Sequence, residues 1–197
     1  MIVKNYVTVE IDKVKYGEQE TYMGLVELRF HGRGGQGMVT AAQVLAASAV
    51  LEGRYAQAFP EFGPERRGAP VKSYLRISDK PIYIREPIQR PDVVVVADPS
   101  LFKAENPLEG AKPTAVLVVN GLYKAPVKTY YIDATSLSMK ILGRPIVNTA
   151  MIGAVVKATG VVSLASVGKA LRKFFSGRLY ELNLKLVEVA YQETREL

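Results

Sequence analysis

Six consecutive residues, Gly32-Arg33-Gly34-Gly35-Gln36-Gly37, carry the strongest chemical signal in the sequence. Glycines let a backbone turn tightly and approach a ligand closely. A helix opening at such a turn presents free N–H groups and a positive dipole end to an anion. The segment satisfies the spacing G-x-G-x-x-G, and Arg33 adds a permanent positive charge inside it. A second constrained stretch, residues 58–70, mounts two aromatics and four charges, among them Arg66 and Arg67, on three prolines and two glycines. A loop held that tightly presents a surface, and its arginine pair suits a carboxylate or a phosphate. The chemistry on offer is the holding of an anion.

Groups that would react with a held anion are scarce. The sequence contains no cysteine, which excludes iron–sulfur ligation, disulfides and thiol nucleophiles on this chain. His31 is the only histidine, so structural zinc has almost no ligands to draw on, and a Ser–His–Asp triad would need a residue that stands directly before the glycine turn. No lysine follows the glycines as in a P-loop, and there is no Gly-Asp-Gly motif for thiamine diphosphate. A dinucleotide reading also needs an acid roughly 20 residues beyond the glycines for the ribose hydroxyls. Glu61 is the nearest candidate, between Pro60 and Phe62. A stand-alone NAD(P)-binding oxidoreductase therefore stays open as an alternative, as does a scaffold chain with no ligand.

The elements that position these residues can be read from hydrophobic periodicity. Residues 25–31 alternate as a first core strand. An apolar helix is predicted from Met38 to about Glu52, stopped by Gly53. Strands are expected at 55–59 and 71–77, and the latter should turn through 78–81 into another at 82–85. Consecutive apolar residues at 93–97 read as an inner parallel strand, and 115–119 and 130–132 repeat the pattern. Asn148 can cap a helix ending at Gly160, Ser163 one ending near Gly177, and a last helix should span about 179–193. Alternating strands and helices predict an α/β fold: three α/β/α layers, a mostly parallel or mixed sheet, and a Rossmann-like glycine turn after the first core strand. Residues 1–24 read as an extension or arm, and 25–197 as a single domain.

Two of these helices are apolar on too many sides. Residues 38–51 include only Thr40, Gln43 and Ser48 as polar side chains, and 148–160 little more. Such a helix is buried on both sides, either by a further element of its own chain or by another subunit. Beyond the carboxyl ends of the predicted strands lie the glycine turn, Asp98-Pro99-Ser100, Asn120-Gly121 and Asp133. They either cap and turn the chain or converge on one crevice.

Composition bounds the rest. At 197 residues with 48% apolar and 23% charged residues, the chain can bury one substantial core. No apolar run approaches the roughly 18 residues of a membrane span, and the polar N-terminus has no signal-peptide character, so a cytoplasmic protein is expected. The net charge of +7 would suit an anionic partner. The basic residues are scattered, apart from Arg66-Arg67 and Lys169, Arg172, Lys173 and Arg178, with no aromatic-interleaved platform, so nucleic acid is not the expected partner. Absent tryptophan and sparse Asn, Gln and Met fit a thermophilic source.

Four ordered motifs resemble a known family: residues 31–37, 57–70, 91–99 and 148–154. Together they closely resemble the gamma subunit of 2-oxoacid:ferredoxin oxidoreductases, of which pyruvate synthase is the best-known member. The likeness spans residues 25 to about 185. It implies a chain that works inside a complex with alpha, beta and delta subunits. Such complexes decarboxylate a 2-oxoacid oxidatively on thiamine diphosphate with Mg2+. Electrons pass through [4Fe–4S] clusters to ferredoxin, and the acyl group goes to coenzyme A. Thiamine diphosphate and the clusters belong to the other subunits, so this chain is expected to have no catalytic residue. The turn Gly32, Arg33, Gly34, Gly35, Gln36 and Gly37, helped by Arg66 and Arg67, would then face coenzyme A or a partner's carboxylate. The expected objection is that Glu61 and Glu65 neutralise those arginines.

Overall fold

Leu28 and Phe30 alternate with Arg29 and His31 along strand β1 (Val26–Arg33), and this alternation divides the molecule into two unlike halves. The computed structural model describes residues 24–61 and 68–197. In it β1 lies in a seven-stranded mixed sheet ordered β2-β3-β1-β4-β5-β6-β7. The other strands are β2 (Tyr55–Pro60), β3 (Pro70–Ser78), β4 (Val93–Val96), β5 (Val116–Asn120), β6 (Lys128–Ile132) and β7 (Arg195–Glu196). β1, β4, β5 and β6 run parallel, and β2, β3 and β7 form the antiparallel margins. The α/β class and mixed sheet are as the periodicity predicts. β4 is four valines, each buried, as an inner parallel strand requires.

The face bearing Leu28 and Phe30 packs on α1 (Met38–Leu51) and α4 (Asn148–Thr159). Behind these lie α3 (Ala134–Leu142), α5 (Leu164–Leu171) and α6 (Gly177–Glu193). Every residue of α4 from Asn148 to Val156 is buried. For α4 the excess of apolar residues is thus resolved within the chain, since α6 lies across it; α5 lies against α1, which still leaves Leu51 exposed. The approach to α6 depends on Gly153, where an added Cβ would lie 2.4 Å from the Val187 carbonyl oxygen.

The opposite face has one helical turn, α2 (Leu101–Ala104), and otherwise irregular chain. Buried irregular backbone must still satisfy its carbonyls. Two buried arginines supply the donors. Arg29, 7% exposed, donates to the carbonyls of Ile88, Pro107 and Glu109 at 3.3, 3.0 and 2.6 Å. Arg76, 1% exposed, donates to the Glu86 carbonyl at 2.7 Å and pairs with Glu27 at 2.8 Å.

Three expectations are corrected. Residues 82–85 form no strand. The predicted hairpin needs a free edge on β3, but β3 is already flanked by β2 and β1. Asn148 is not the cap of its helix: Val147 takes that position, and Asn148 Oδ1 accepts from the neighbouring Thr149 N–H at 2.8 Å. The two-residue β7 after the last helix was not foreseen. Ser163 does cap α5, accepting from Ser166 N–H at 3.2 Å, but α5 ends at Leu171 rather than near Gly177, which instead opens α6. The expected arm lies almost wholly in residues 1–23, outside the described residues.

Candidate functional site

The glycine turn leaves β1 at the carboxyl edge of the sheet and is cross-braced at once. Arg33 N–H donates to Gln36 Oε1 at 2.8 Å, and Gln36 N–H returns to the Arg33 carbonyl at 3.0 Å. This explains the glutamine within the glycines: its side chain closes the turn. Gly34 N–H donates to the Ala69 carbonyl at 2.9 Å, and Gly68 N–H to the Gly34 carbonyl at 3.2 Å. The glycine turn and the end of the Pro/Arg loop are therefore one unit. Gly37 takes φ +75° and precedes α1. No side chain caps this helix, and its first turn has no acid. Helix α1 thus keeps its positive end uncompensated by its own residues.

Arg33 is neutralised, but not by the acids expected. Its Nε donates to Asp98 Oδ2 at 2.7 Å, Nη2 to Ser100 Oγ at 2.8 Å and Nη1 to the Gly68 carbonyl at 3.0 Å. Burial opposes ionisation of Asp98, yet the hydrogen bonds from Ser100 and Arg33 outweigh it and hold its carboxyl below the usual range. Glu61 instead accepts from the Tyr74 hydroxyl at 2.9 Å, and burial together with that carboxylate pushes the phenol up. Glu65, Arg66 and Arg67 lie outside the described residues. Sequence reasoning missed the Arg33–Asp98 pair because the partners are 65 residues apart and meet only where β1 and β4 end side by side.

An open groove of about 480 Å³ runs beside the turn, lined by Arg33, Gly37, Met38, Glu61 and Lys72 among others. Beneath it lies a buried polar row that the sequence did not disclose. Arg29 Nε donates to His31 Nε2 at 3.1 Å, which makes that nitrogen the acceptor. The ring proton therefore sits on Nδ1 and is donated to Glu105 Oε1 at 3.0 Å. Lys72 approaches the other Glu105 oxygen at 3.5 Å. Burial first, then the neighbouring Arg29 and Lys72 charges, depress His31 to about 4 despite Glu105.

An unfolded histidine titrates near 6.5, so between that pH and about 4 the unfolded chain binds the proton that folded His31 refuses. The His31 contribution should leave stability flat above about pH 7 and lower it as pH falls from about 6.5 to 4. Nitrogen NMR should show an Nδ1–H tautomer that does not titrate between about pH 8 and 5. A His31 resonance titrating near 6.5 would overturn this arrangement.

The other groups at the carboxyl edge serve the fold. Asn120 Nδ2 donates to the Ala97 carbonyl and Thr135 Oγ1, both at 2.9 Å, and its Oδ1 accepts from Ala134 N–H at 3.0 Å. It ties β4, β5 and the start of α3 together. Asp133 caps α3 by accepting from Ser136 N–H at 2.9 Å. A dinucleotide site fits poorly. In the Rossmann unit the strand bearing the ribose acid is next to the first strand. Here β3 is inserted between β1 and β2, and Glu61 is engaged by Tyr74.

The sequence profile of the family Pyruvate ferredoxin/flavodoxin oxidoreductase matches residues 27–193. This match, the mixed sheet and the ordered motifs define the class, a gamma-type subunit of a 2-oxoacid oxidoreductase complex. The chain belongs to the pyruvate ferredoxin/flavodoxin oxidoreductase family. It is 51% identical over 180 residues to the "Pyruvate/ketoisovalerate oxidoreductases common subunit gamma" of Thermococcus kodakarensis, covering 86% of this chain and 97% of that one. It is also 51% identical over 172 residues to the "Pyruvate synthase subunit PorC" of Methanocaldococcus jannaschii, with the same coverage. The crystal structure of the pyruvate oxidoreductase subunit PORC of Thermotoga maritima superposes with a TM-score of 0.78 at 35% identity, covering 88% of this chain and 98% of that one.

Proposed function

We propose that this chain is the non-catalytic gamma subunit of a complex that oxidatively decarboxylates pyruvate or a related 2-oxoacid to its acyl-coenzyme A, with ferredoxin as electron acceptor. The observation that carries this reading is the near full-length match to chains named as gamma or PorC subunits of pyruvate enzymes. Alpha, beta and delta subunits would supply thiamine diphosphate, Mg2+ and the [4Fe–4S] clusters. The donor set agrees with that division. The sequence has no cysteine for a cluster. No three His, Asp or Glu side chains are grouped to hold a metal among the described residues.

The glycine turn is the part of this chain assigned to the anion: a phosphate of coenzyme A or a carboxylate of a partner subunit. Support comes from the uncapped start of α1 and the groove beside it. Because Asp98 already balances Arg33, the anion would be held by the start of α1 rather than by the guanidinium charge. Arg33 then acts by holding Gly68 and the turn in place. In assembled enzyme, Arg33→Ala should raise the KM for coenzyme A about three- to tenfold with kcat little changed. That is the effect expected when one support of a binding loop is lost. An unchanged KM with intact assembly would leave the turn as scaffold only.

A further inference from the structure

Lys169, Arg172, Lys173 and Arg178 crowd the corner where α5 gives way to α6, and all are exposed. Lys169, Lys173 and Arg178 form no ion pair among the described residues. Arg172 lies over the Tyr180 ring at 4.6 Å. Cations three and four positions apart around a helix end repel one another. The dipole of α5 compensates Lys169 and Arg172 at its C-terminal end, but the dipole of α6 opposes Arg178 in its first turn. The nearby acids of α6, Glu181 and Glu188, pair with none of these cations. The fold itself therefore gains little from this concentration of charge.

Beside the cluster, a groove of about 310 Å³ runs between α5 and α6. Leu164, Gly168 and Leu184 form its half-buried lining, and Lys169, Arg172 and Glu188 are among its exposed lining. The floor is thus apolar and the rim mainly cationic. The walls are braced: the Tyr180 hydroxyl donates to the Gly168 carbonyl at 3.3 Å. Glycine at 168 leaves the floor clear, since an added Cβ would lie 3.3 Å from Leu184 Cδ1. Leu179, next to Arg178, adds apolar surface at 52% exposure. We infer that this corner docks an acidic segment of another subunit of the complex, with an apolar side chain seated between α5 and α6 and carboxylates on the surrounding cations. Charge complementarity selects this occupant. A second copy of the chain would set the same cations against themselves. A nucleic acid would leave Leu164 and Leu184 without a partner, and the one ring of the groove, Tyr180, is already taken by Arg172.

This inference rests on the reading of the chain as a subunit and assigns it a surface. The test follows release of this chain from the purified complex by sedimentation in rising KCl. One variant combines Lys169→Glu, Lys173→Glu and Arg178→Glu; Arg172 is kept because it braces Tyr180. A second, Ala165→Trp, fills the exposed mouth of the groove without changing charge. The triple variant should be released at about one half to one third of the KCl that releases the wild-type chain, because attraction across the contact has become repulsion. Ala165→Trp should also lower the release point. Both isolated chains should melt close to wild type, which separates lost docking from lost folding. A triple variant released at the wild-type concentration would overturn the acidic partner, and an unaffected Ala165→Trp would overturn the seat between the helices. Unchanged release with weakened binding to a mixed-sequence RNA would give the cluster to nucleic acid instead. A wild-type chain that enters no complex would overturn the subunit reading and this surface together.

Discussion

Arg29→Met should lower the stability of the isolated chain by about 4 kcal/mol, the sum expected for several buried carbonyls that lose their donor. The chain length implies a fall in melting temperature of roughly 8–16 °C. The carbonyls of Ile88, Pro107 and Glu109 belong to irregular chain that has no ladder to turn to, and Arg29 supplies donors to all three. Methionine fills much of the volume but satisfies none of them. Burial lowers the Arg29 pKa from its ordinary value, which measures the same cost of enclosing the charge. Several carbonyl dipoles and Glu109 offset that cost while the arginine is present. Arg29→Lys should recover less than half of the loss, because one ammonium cannot span carbonyls placed around a planar fork. A loss below about 1 kcal/mol in thermal or urea unfolding would mean that the irregular face opens to water at little cost.

Gly153→Ala should destabilise by about 2 kcal/mol, and Gly153→Val should prevent stable folding, within the range of overpacked cores. Alanine in place of glycine at mid-helix ordinarily gains roughly 1 kcal/mol in propensity. Here the added Cβ would meet the Val187 carbonyl oxygen at 2.4 Å, Ala190 Cβ at 2.9 Å and Tyr191 N at 3.0 Å. Two of those three atoms are backbone, so relief requires α4 and α6 to move apart. That movement loosens the contact that buries the outer face of α4. Chemical denaturation of the two variants checks the order. A Gly153→Ala variant as stable as wild type would show that the helices separate freely.

Most elements of the fold were legible because their signals are local. The valine run of β4, the glycine that stops α4 and the Ser163 cap each depend on residues within one turn or strand. The glycine turn was legible for the same reason. The strand expected at 82–85 shows where local reading ends, since its pattern is strand-like but no sheet edge is left for it.

The order of residues therefore established the α/β class, the glycine turn after the first core strand and the absence of thiol chemistry, since composition and short-range patterning carry all three. Tertiary structure alone decided how charge is distributed around that turn. Arg33 meets Asp98 across 65 residues, and His31 is held neutral between Arg29 and Glu105. The physical reason is the sheet: parallel strands bring distant carboxyl ends together, and pairing between charges depends on that juxtaposition rather than on spacing along the chain.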